Sequence, residues 1–219
     1  MSQYQFGQSI EVHYPTTVLE RDFIGVEGLN QRLRSFVLEW ESAYRNTEEN
    51  AARSGKVTTQ GGYQTSLNKN LFELANDSIA ELKKELVLPA VAAYLQAVFK
   101  EEVKNITPWL VGWANVLRKG NWQRPHFHPT ERNLISGVYY VDVPEALAEP
   151  DGCIEFINPV PISVHHGFST TRRIKPKTGK LILFPPYYMH YVHPFVSEKE
   201  RIIIAFDVIG KPAGPKFVF

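Results

Sequence analysis

The chain has 219 residues, 43% hydrophobic and 12% aromatic, which suits one compact globular domain, or a domain with a modest extension, and excludes a disordered or collagen-like chain. Lys and Arg number 24 against 23 Asp and Glu, so at +1 there is no global field to draw the chain to nucleic acid or to an anionic membrane. The lone cysteine, Cys153, excludes an internal disulfide, the polar start Met1–Gln8 lacks the basic and apolar stretches of a secretory signal, and no run approaches the roughly 20 apolar residues of a membrane span; a soluble, cytoplasmic protein is expected.

The first half reads as helical. Leu29, Leu33, Phe36, Val37, Trp40 and Tyr44 recur in steps of three and four, one face of a helix. A Gly/Thr/Gln-rich passage, Ser54 to Ser66, breaks the pattern, and Leu71, Leu74, Ala75, Ile79, Leu82 and Leu86 predict a second helix. Pro89 either kinks that helix or starts a new one, and Val91, Tyr94, Leu95 and Val98 carry the stripe onward.

At Thr107 the period changes to two. Trp109–Leu117, Leu134–Val141, Cys153–Ile157, Leu181–Phe184, Tyr188–Val192 and Arg201–Val208 are short runs rich in Val, Ile, Tyr and Phe, as in an antiparallel sandwich or barrel. The passage from Asn158 to Thr178, with Pro159, Pro161, His165, His166, Arg172 and Arg173, reads as a surface flap. The expected organisation is one structural domain: residues 1–108 supply a strand and helices that pack on one sheet, and residues 109–219 form the β core.

Of seven histidines, His13 alone falls in the helical half. In Pro125-His126-Phe127-His128-Pro129, an extended backbone turns His126 and His128 to one side and Phe127 to the other, so the two imidazoles can share one metal ion. His190 follows a hydrophobic strand that turns at Pro185-Pro186. On the last strong strand Ile202, Ile204 and Phe206 form a core face, and Arg201, Ile203 and Ala205 the other. Arg201 turned inward would need an anion; turned outward it would pair with Glu198 or Glu200 in solvent. His193 falls on the opposite face from His190, as a rim residue. Cys153 reads as a small buried hydrophobe, and Trp113 and Asn115 either line a pocket or pack.

The ordered string Trp113-Ala114-Asn115-Val116, Pro125-His126-Phe127-His128-Pro129, Leu134-Ile135-Ser136-Gly137-Val138-Tyr139-Tyr140-Val141, Gly152-Cys153-Ile154-Glu155-Phe156, Gly179-Lys180-Leu181-Ile182-Leu183-Phe184-Pro185, His190 and Arg201 resembles the non-haem Fe(II)/2-oxoglutarate-dependent oxygenases. Within them it is similar to a prolyl-hydroxylase-like group with His-x-His-Pro and Ser-Gly-Val-Tyr-Tyr motifs. The resemblance spans roughly Trp109 to Val208. It implies a mainly β protein with N-terminal helices (α+β), a double-stranded β-helix or jelly-roll braced by helices on one sheet. It further implies Fe(II) held by His126 and His190, and 2-oxoglutarate whose far carboxylate meets Arg201 and Tyr140, with Ser136 adding a second hydroxyl. Its partners would be 2-oxoglutarate, O2 and a substrate.

The family pattern has Asp or Glu where this chain has His128, so the third ligand is either His128 or, as in a related two-histidine branch, water; Glu131 lies too far along for a simple substitute. The leading expectation is a dioxygenase that hydroxylates a substrate and releases succinate and carbon dioxide. A three-histidine cupin-type iron dioxygenase needs no diacid clamp, and a jelly-roll binding module needs no metal. Metal content and consumption of 2-oxoglutarate separate the three.

Overall fold

The structure, a computed structural model, describes residues 16–53, 57–100, 106–129, 131–145 and 148–212. Met1–Gln8, His13 and the start of the Ser54–Ser66 passage lie outside the described residues. Strand β1 (Leu19–Asp22) leads into helices α1 (Glu27–Tyr44) and α2 (Glu48–Arg53), and two-residue strands β2 (Thr59–Gln60) and β3 (Tyr63–Gln64) follow. After α3 (Asp77–Glu81) and α4 (Leu88–Phe99) come β4 (Ile106–Leu117), β5 (Trp122–His126), β6 (Asn133–Asp142), β7 (Ile154–Ile157), β8 (Thr171–Ile174), β9 (Lys180–Phe184), β10 (His190–Val192) and β11 (Arg201–Pro212).

The strands form two antiparallel sheets, ordered β1-β9-β6-β11-β4-β3 and β2-β5-β10-β7-β8. This is a mainly β, jelly-roll type of architecture with helices on the six-stranded sheet. Alternation explains the two cores. On β11, Ile202, Ile204, Phe206 and Val208 point to the helices, where they meet Leu33 and Val37 of α1 and Val91 and Leu95 of α4. Ile203 points the other way, into the space between the sheets, with Tyr140, Phe156, Phe184 and Val192. A sheet buried on both faces reads as continuous apolar sequence, which is why its strands stand out. Gly137 on β6 sits against the Phe206 ring, where a Cβ would meet Cζ at 2.5 Å and Leu183 Cδ2 at 2.7 Å. The glycine of Ser-Gly-Val-Tyr-Tyr thus lets the large aromatic of β11 lie flush on its neighbour.

Two sequence expectations need correction. Leu71–Ala75 does not begin the second helix: Leu71–Glu73 is a single 3-10 turn, Leu74 is extended, and the helix starts at Asp77. The cause is side-chain competition for backbone donors, as Asn70 Oδ1 accepts from Phe72 N at 3.2 Å and Asn76 Oδ1 from Ser78 N and Ile79 N at 3.0 and 3.1 Å. Pro89 falls in the first turn of α4, the position of a proline that starts a helix. A π-helical stretch, Leu82–Val87, joins α3 to α4, and Leu88 N bonds to Lys83 O, the wider turn that goes with a proline lacking its amide proton. The passage from Asn158 to Thr178 contains a 3-10 turn, Pro161–His166, and strand β8, paired with β7 from Ile154↔Ile174 to Ile157↔Thr171. No helix among the described residues is long and apolar enough to cross a membrane.

Candidate metal centre and anion pocket

His126 and His190 face each other directly across the β5–β10 pair, and both project between the sheets. Beyond β5 the chain stays extended, with His128 N bonded to Pro186 O at 2.9 Å, so His128 returns to the same side. Ring centroids stand 4.2 Å apart for His126 and His190, and 5.4 Å apart for His128 with each of the others. One nitrogen from each ring can be chosen so that all three lie within 4.8 Å of one another. No aspartate or glutamate joins this group among the described residues, and the Glu131 side chain is 91% exposed.

In each of these rings Nδ1 already has a partner. His126 Nδ1 lies 2.6 Å from Arg124 O and His190 Nδ1 2.8 Å from Tyr188 O, each on the carbonyl two residues back along the strand. His128 Nδ1 lies 2.9 Å from Asp207 Oδ1. Nδ1 therefore carries the proton in each ring, and all three Nε2 lone pairs are left for a metal. Trp113 stacks on His128, and Phe184 and Phe156 close around His190, so the cluster is lined by aromatic rings.

Burial pulls the His126 imidazole down to about 4, against which the Arg124 carbonyl pulls upward, and holds His190 well below the usual 6.5, with His126 and His128 adding to the effect. In the unfolded chain both titrate near 6.5. As pH falls below 6.5 the unfolded state takes up protons that the native state refuses, so stability drops; for His126 the window runs from 6.5 to about 4 and the full loss is about 3 kcal/mol. The lowered carboxylates Glu20, Glu41 and Glu155 act only as pH falls below their ordinary 4.5. Urea unfolding of the metal-free protein should therefore show a clear loss of stability between pH 7 and pH 4.5, partly flattened in His126→Asn. Equal stability at both pH values would contradict these protonation states.

The same cavity, about 640 Å³, reaches from the histidines to Arg201 and Tyr140. Arg201 is 1% exposed and Tyr140 fully buried, and the guanidinium carbon lies 5.1 Å from the centroid of the Tyr140 ring. Among the described residues Arg201 Nε and Nη1, Tyr140 Oη and Asn115 Nδ2 have no hydrogen-bond partner, although each is buried. Such a set of unpaired donors, one of them cationic, is costly unless an anion completes it. Burial lowers the affinity of Arg201 for its proton and pushes the Tyr140 phenol up, with the Arg201 charge pulling the phenol back. The phenol is thus a neutral donor. Gly152, at φ +60°, lies against the arginine stem, with its Cβ position 3.4 Å from Arg201 Cδ. A side chain there would be strained and would crowd the guanidinium.

Arg201 does not make the solvent pair with Glu198 or Glu200. Glu198 bonds to Lys119, and Glu200 to Arg34 at 3.1 Å. Tyr139 points to the helices and donates to Asn30 Oδ1 at 2.7 Å, leaving Tyr140 for the cavity. Ser136, expected to offer its hydroxyl to the same anion, instead donates to Asp207 Oδ1 at 2.7 Å. His193 bonds to Glu155, away from the cluster, while His165 and His166 are exposed on the 3-10 turn and Cys153 is buried. Asp207 was not singled out from the sequence, although it continues the Arg201, Ile203, Ala205 face. Also missed was the polar group where Thr59 Oγ1 meets Gln64 Oε1 and Asn115 Oδ1 at 3.0 and 3.1 Å and accepts from Gln123 Nε2 at 3.1 Å. A larger groove, about 1480 Å³, is lined by charged groups that pair with each other, as Arg34 does with Asp142 at 2.9 Å.

A family model described as "Putative 2OG-Fe(II) oxygenase" matches residues 112–207, which include the three histidines, Tyr140, Arg201 and Asp207. No curated protein matches the chain. Among solved structures, a prolyl-4-hydroxylase from Pseudomonas putida superposes with a TM-score of 0.59 at 13% identity, covering 89% of this chain and 92% of that one. A prolyl hydroxylase from Trichoplax adhaerens, in complex with a peptide fragment of hypoxia inducible factor, gives 0.60 at 12% identity over 88% and 83%. HygX from Streptomyces hygroscopicus, with nickel and 2-oxoglutarate bound, gives 0.56 at 14% identity over 89% and 82%. At such identities the likeness is one of fold. Residues 112–207, the greater part of the β core, are thus similar to the 2OG-Fe(II) oxygenases, and the fold of the solved structures is shared along most of the chain.

Proposed function

We propose that the protein is an Fe(II)- and 2-oxoglutarate-dependent dioxygenase that hydroxylates its substrate. The observation that supports this best is the joint content of one cavity: three imidazoles with free Nε2 atoms beside a buried arginine, phenol and amide with unpaired donors. That donor set fits a metal ion together with a diacid. His126, His128 and His190 would hold the iron, and Arg201 with Tyr140 the far carboxylate. Asn115 Nδ2 supplies one further donor within the cavity. The fork of the guanidinium fixes a carboxylate in its plane, and the phenol sets its rotation. The bound iron and co-substrate would supply the oxidising chemistry; this chain would orient the reactants and keep water out. The nickel and 2-oxoglutarate held by the HygX structure accord with that pairing.

Anaerobic addition of Fe(II), then of 2-oxoglutarate, tests the proposal. A weak visible charge-transfer band should appear only after the second addition. Iron binding with no such band and no 2-oxoglutarate consumption would favour the cupin-type alternative, and no metal binding would favour a binding module. Tyr140→Phe removes one hydrogen bond to a charged group, so 2-oxoglutarate affinity should fall by about 1–3 kcal/mol, while Tyr139→Phe should leave it unchanged. Titration of both variants checks the register of β6.

A further inference from the structure

Asp207 has a place in the site that none of the expected roles covers. Its side chain, 11% exposed, lies 2.9 Å from His128 Nδ1 and accepts the Ser136 hydroxyl at 2.7 Å, and the fully buried Ser136 hydroxyl in turn accepts from Asn133 Nδ2 at 3.2 Å. The residue stands between Ser136 of β6 and Val111 of β4, on the cavity face of β11. Among the described residues no lysine or arginine lies within ion-pair distance of it. A largely buried carboxylate held by a hydroxyl and an imidazole lacks a full positive charge, and a cation on the far side of the imidazole would supply one. His126 and His190 are oriented by neutral carbonyls; His128, the ligand that stands where the family pattern has an acid, is the one backed by a carboxylate.

We infer that Asp207 is a positioning residue of the metal centre: it holds His128 with Nε2 toward the metal and supplies, one hydrogen bond further out, the negative charge that an acidic ligand would bring directly. This rests on the metal reading proposed above. Three neutral imidazoles alone leave a divalent ion its double charge, whereas Asp207 returns the net charge of the site to that of two imidazoles and a carboxylate. A carboxylate behind a ligand imidazole also raises its donor strength, and losing such an outer partner typically weakens metal binding by about 10–100-fold. Ser136 and Asn133 fix the carboxylate so that it cannot turn away.

Two measurements on the full chain test this. Nitrogen NMR of the histidines in the metal-free protein should show His128 protonated on Nδ1, changing toward Nε2–H in Asp207→Ala while His126 and His190 keep their signals. Anaerobic titration with Co(II) should show roughly 10–100-fold weaker binding in Asp207→Ala. Asp207→Asn keeps an acceptor oxygen and so should retain the tautomer while still binding Co(II) less tightly than wild type, which separates charge from orientation. Wild-type affinity in both variants, or an Nε2-protonated His128 in the wild type, overturns the role of Asp207. If the wild type binds no Co(II), the metal reading itself fails and Asp207 with it, an outcome distinct from tight binding that ignores residue 207.

Discussion

Arg201→Met should weaken 2-oxoglutarate binding by roughly 30-fold or more and, in the ligand-free protein, raise the melting temperature. The two effects have one cause. Arg201 is 1% exposed, its Nε and Nη1 have no hydrogen-bond partner among the described residues, and its guanidinium carbon lies 5.1 Å from the centroid of the Tyr140 ring, whose hydroxyl is itself unpaired. A guanidinium does not deprotonate in proteins, so the free protein carries a desolvated cation that only a bound anion compensates. Removing one partner of a buried charge pair costs about 2–5 kcal/mol of binding, which is roughly 30- to several-thousand-fold. Methionine keeps the apolar stem against Gly152 and fills much of the volume, so the fold gains by losing the uncompensated charge. In wild type the diacid should itself raise the melting temperature, by about 2.7 kcal/mol of stability at a hundred times Kd, and in Arg201→Met that response should vanish. Melting curves with and without 2-oxoglutarate check both effects, and metal binding should be little altered, since the guanidinium is not among the metal donors. A variant that melts lower than wild type yet still responds to the diacid would show that Arg201 serves the fold and not the anion.

How much of this was legible before folding depended on where each residue's partners lie in the chain. The strands β4, β6, β9 and β11 stood out because both faces of their sheet are buried, by helices on one side and by the second sheet on the other. Strands β5 and β8 did not, since each is short and largely exposed, with Arg124 and the strand-poor Pro125 in one and Arg172 and Arg173 in the other open to solvent. Leu71, Leu74 and Ala75 had helical spacing, but Asn70 and Asn76 decide that segment through hydrogen bonds. Asn70 also ties it to β4, through Leu110 O at 2.8 Å and Gly112 N at 2.9 Å. In the site, His126 and His128 were readable from alternation alone, whereas the inward turn of Arg201 was not. That turn depends on Glu198 and Glu200 being occupied by Lys119 and Arg34, partners distant in sequence. Asp207 was within reach of the same alternation, two positions beyond Ala205. Its meaning appears only once His128 and Ser136, from two other segments, meet it in space.

The largest losses of metal are expected in His126→Ala and His190→Ala, and the ordering of four further proteins then decides what His128 does. His126 and His190 face each other across a strand pair, so either truncation leaves a lone imidazole beside one other, and affinity should drop beyond the roughly 100-fold seen when only an outer partner is lost. With His128 as third ligand, His128→Ala should fall by a similar amount. If water takes the third place, His128→Ala should bind iron as wild type does. His128→Asp restores the acid of the family pattern, but it sets a second carboxylate beside Asp207, which has lost its imidazole partner, and two carboxylates at close range cannot both stay ionised at little cost. The single variant should therefore bind iron better than His128→Ala and worse than the double variant His128→Asp/Asp207→Asn, in which one negative charge stands next to the metal and none behind it. Anaerobic iron titration of wild type, His128→Ala, His128→Asp and the double variant should give that order, with the double variant closest to wild type. If His128→Asp alone matches the double variant, the Asp207 charge is not felt at the metal. If every histidine variant holds iron equally, the three imidazoles are not its ligands.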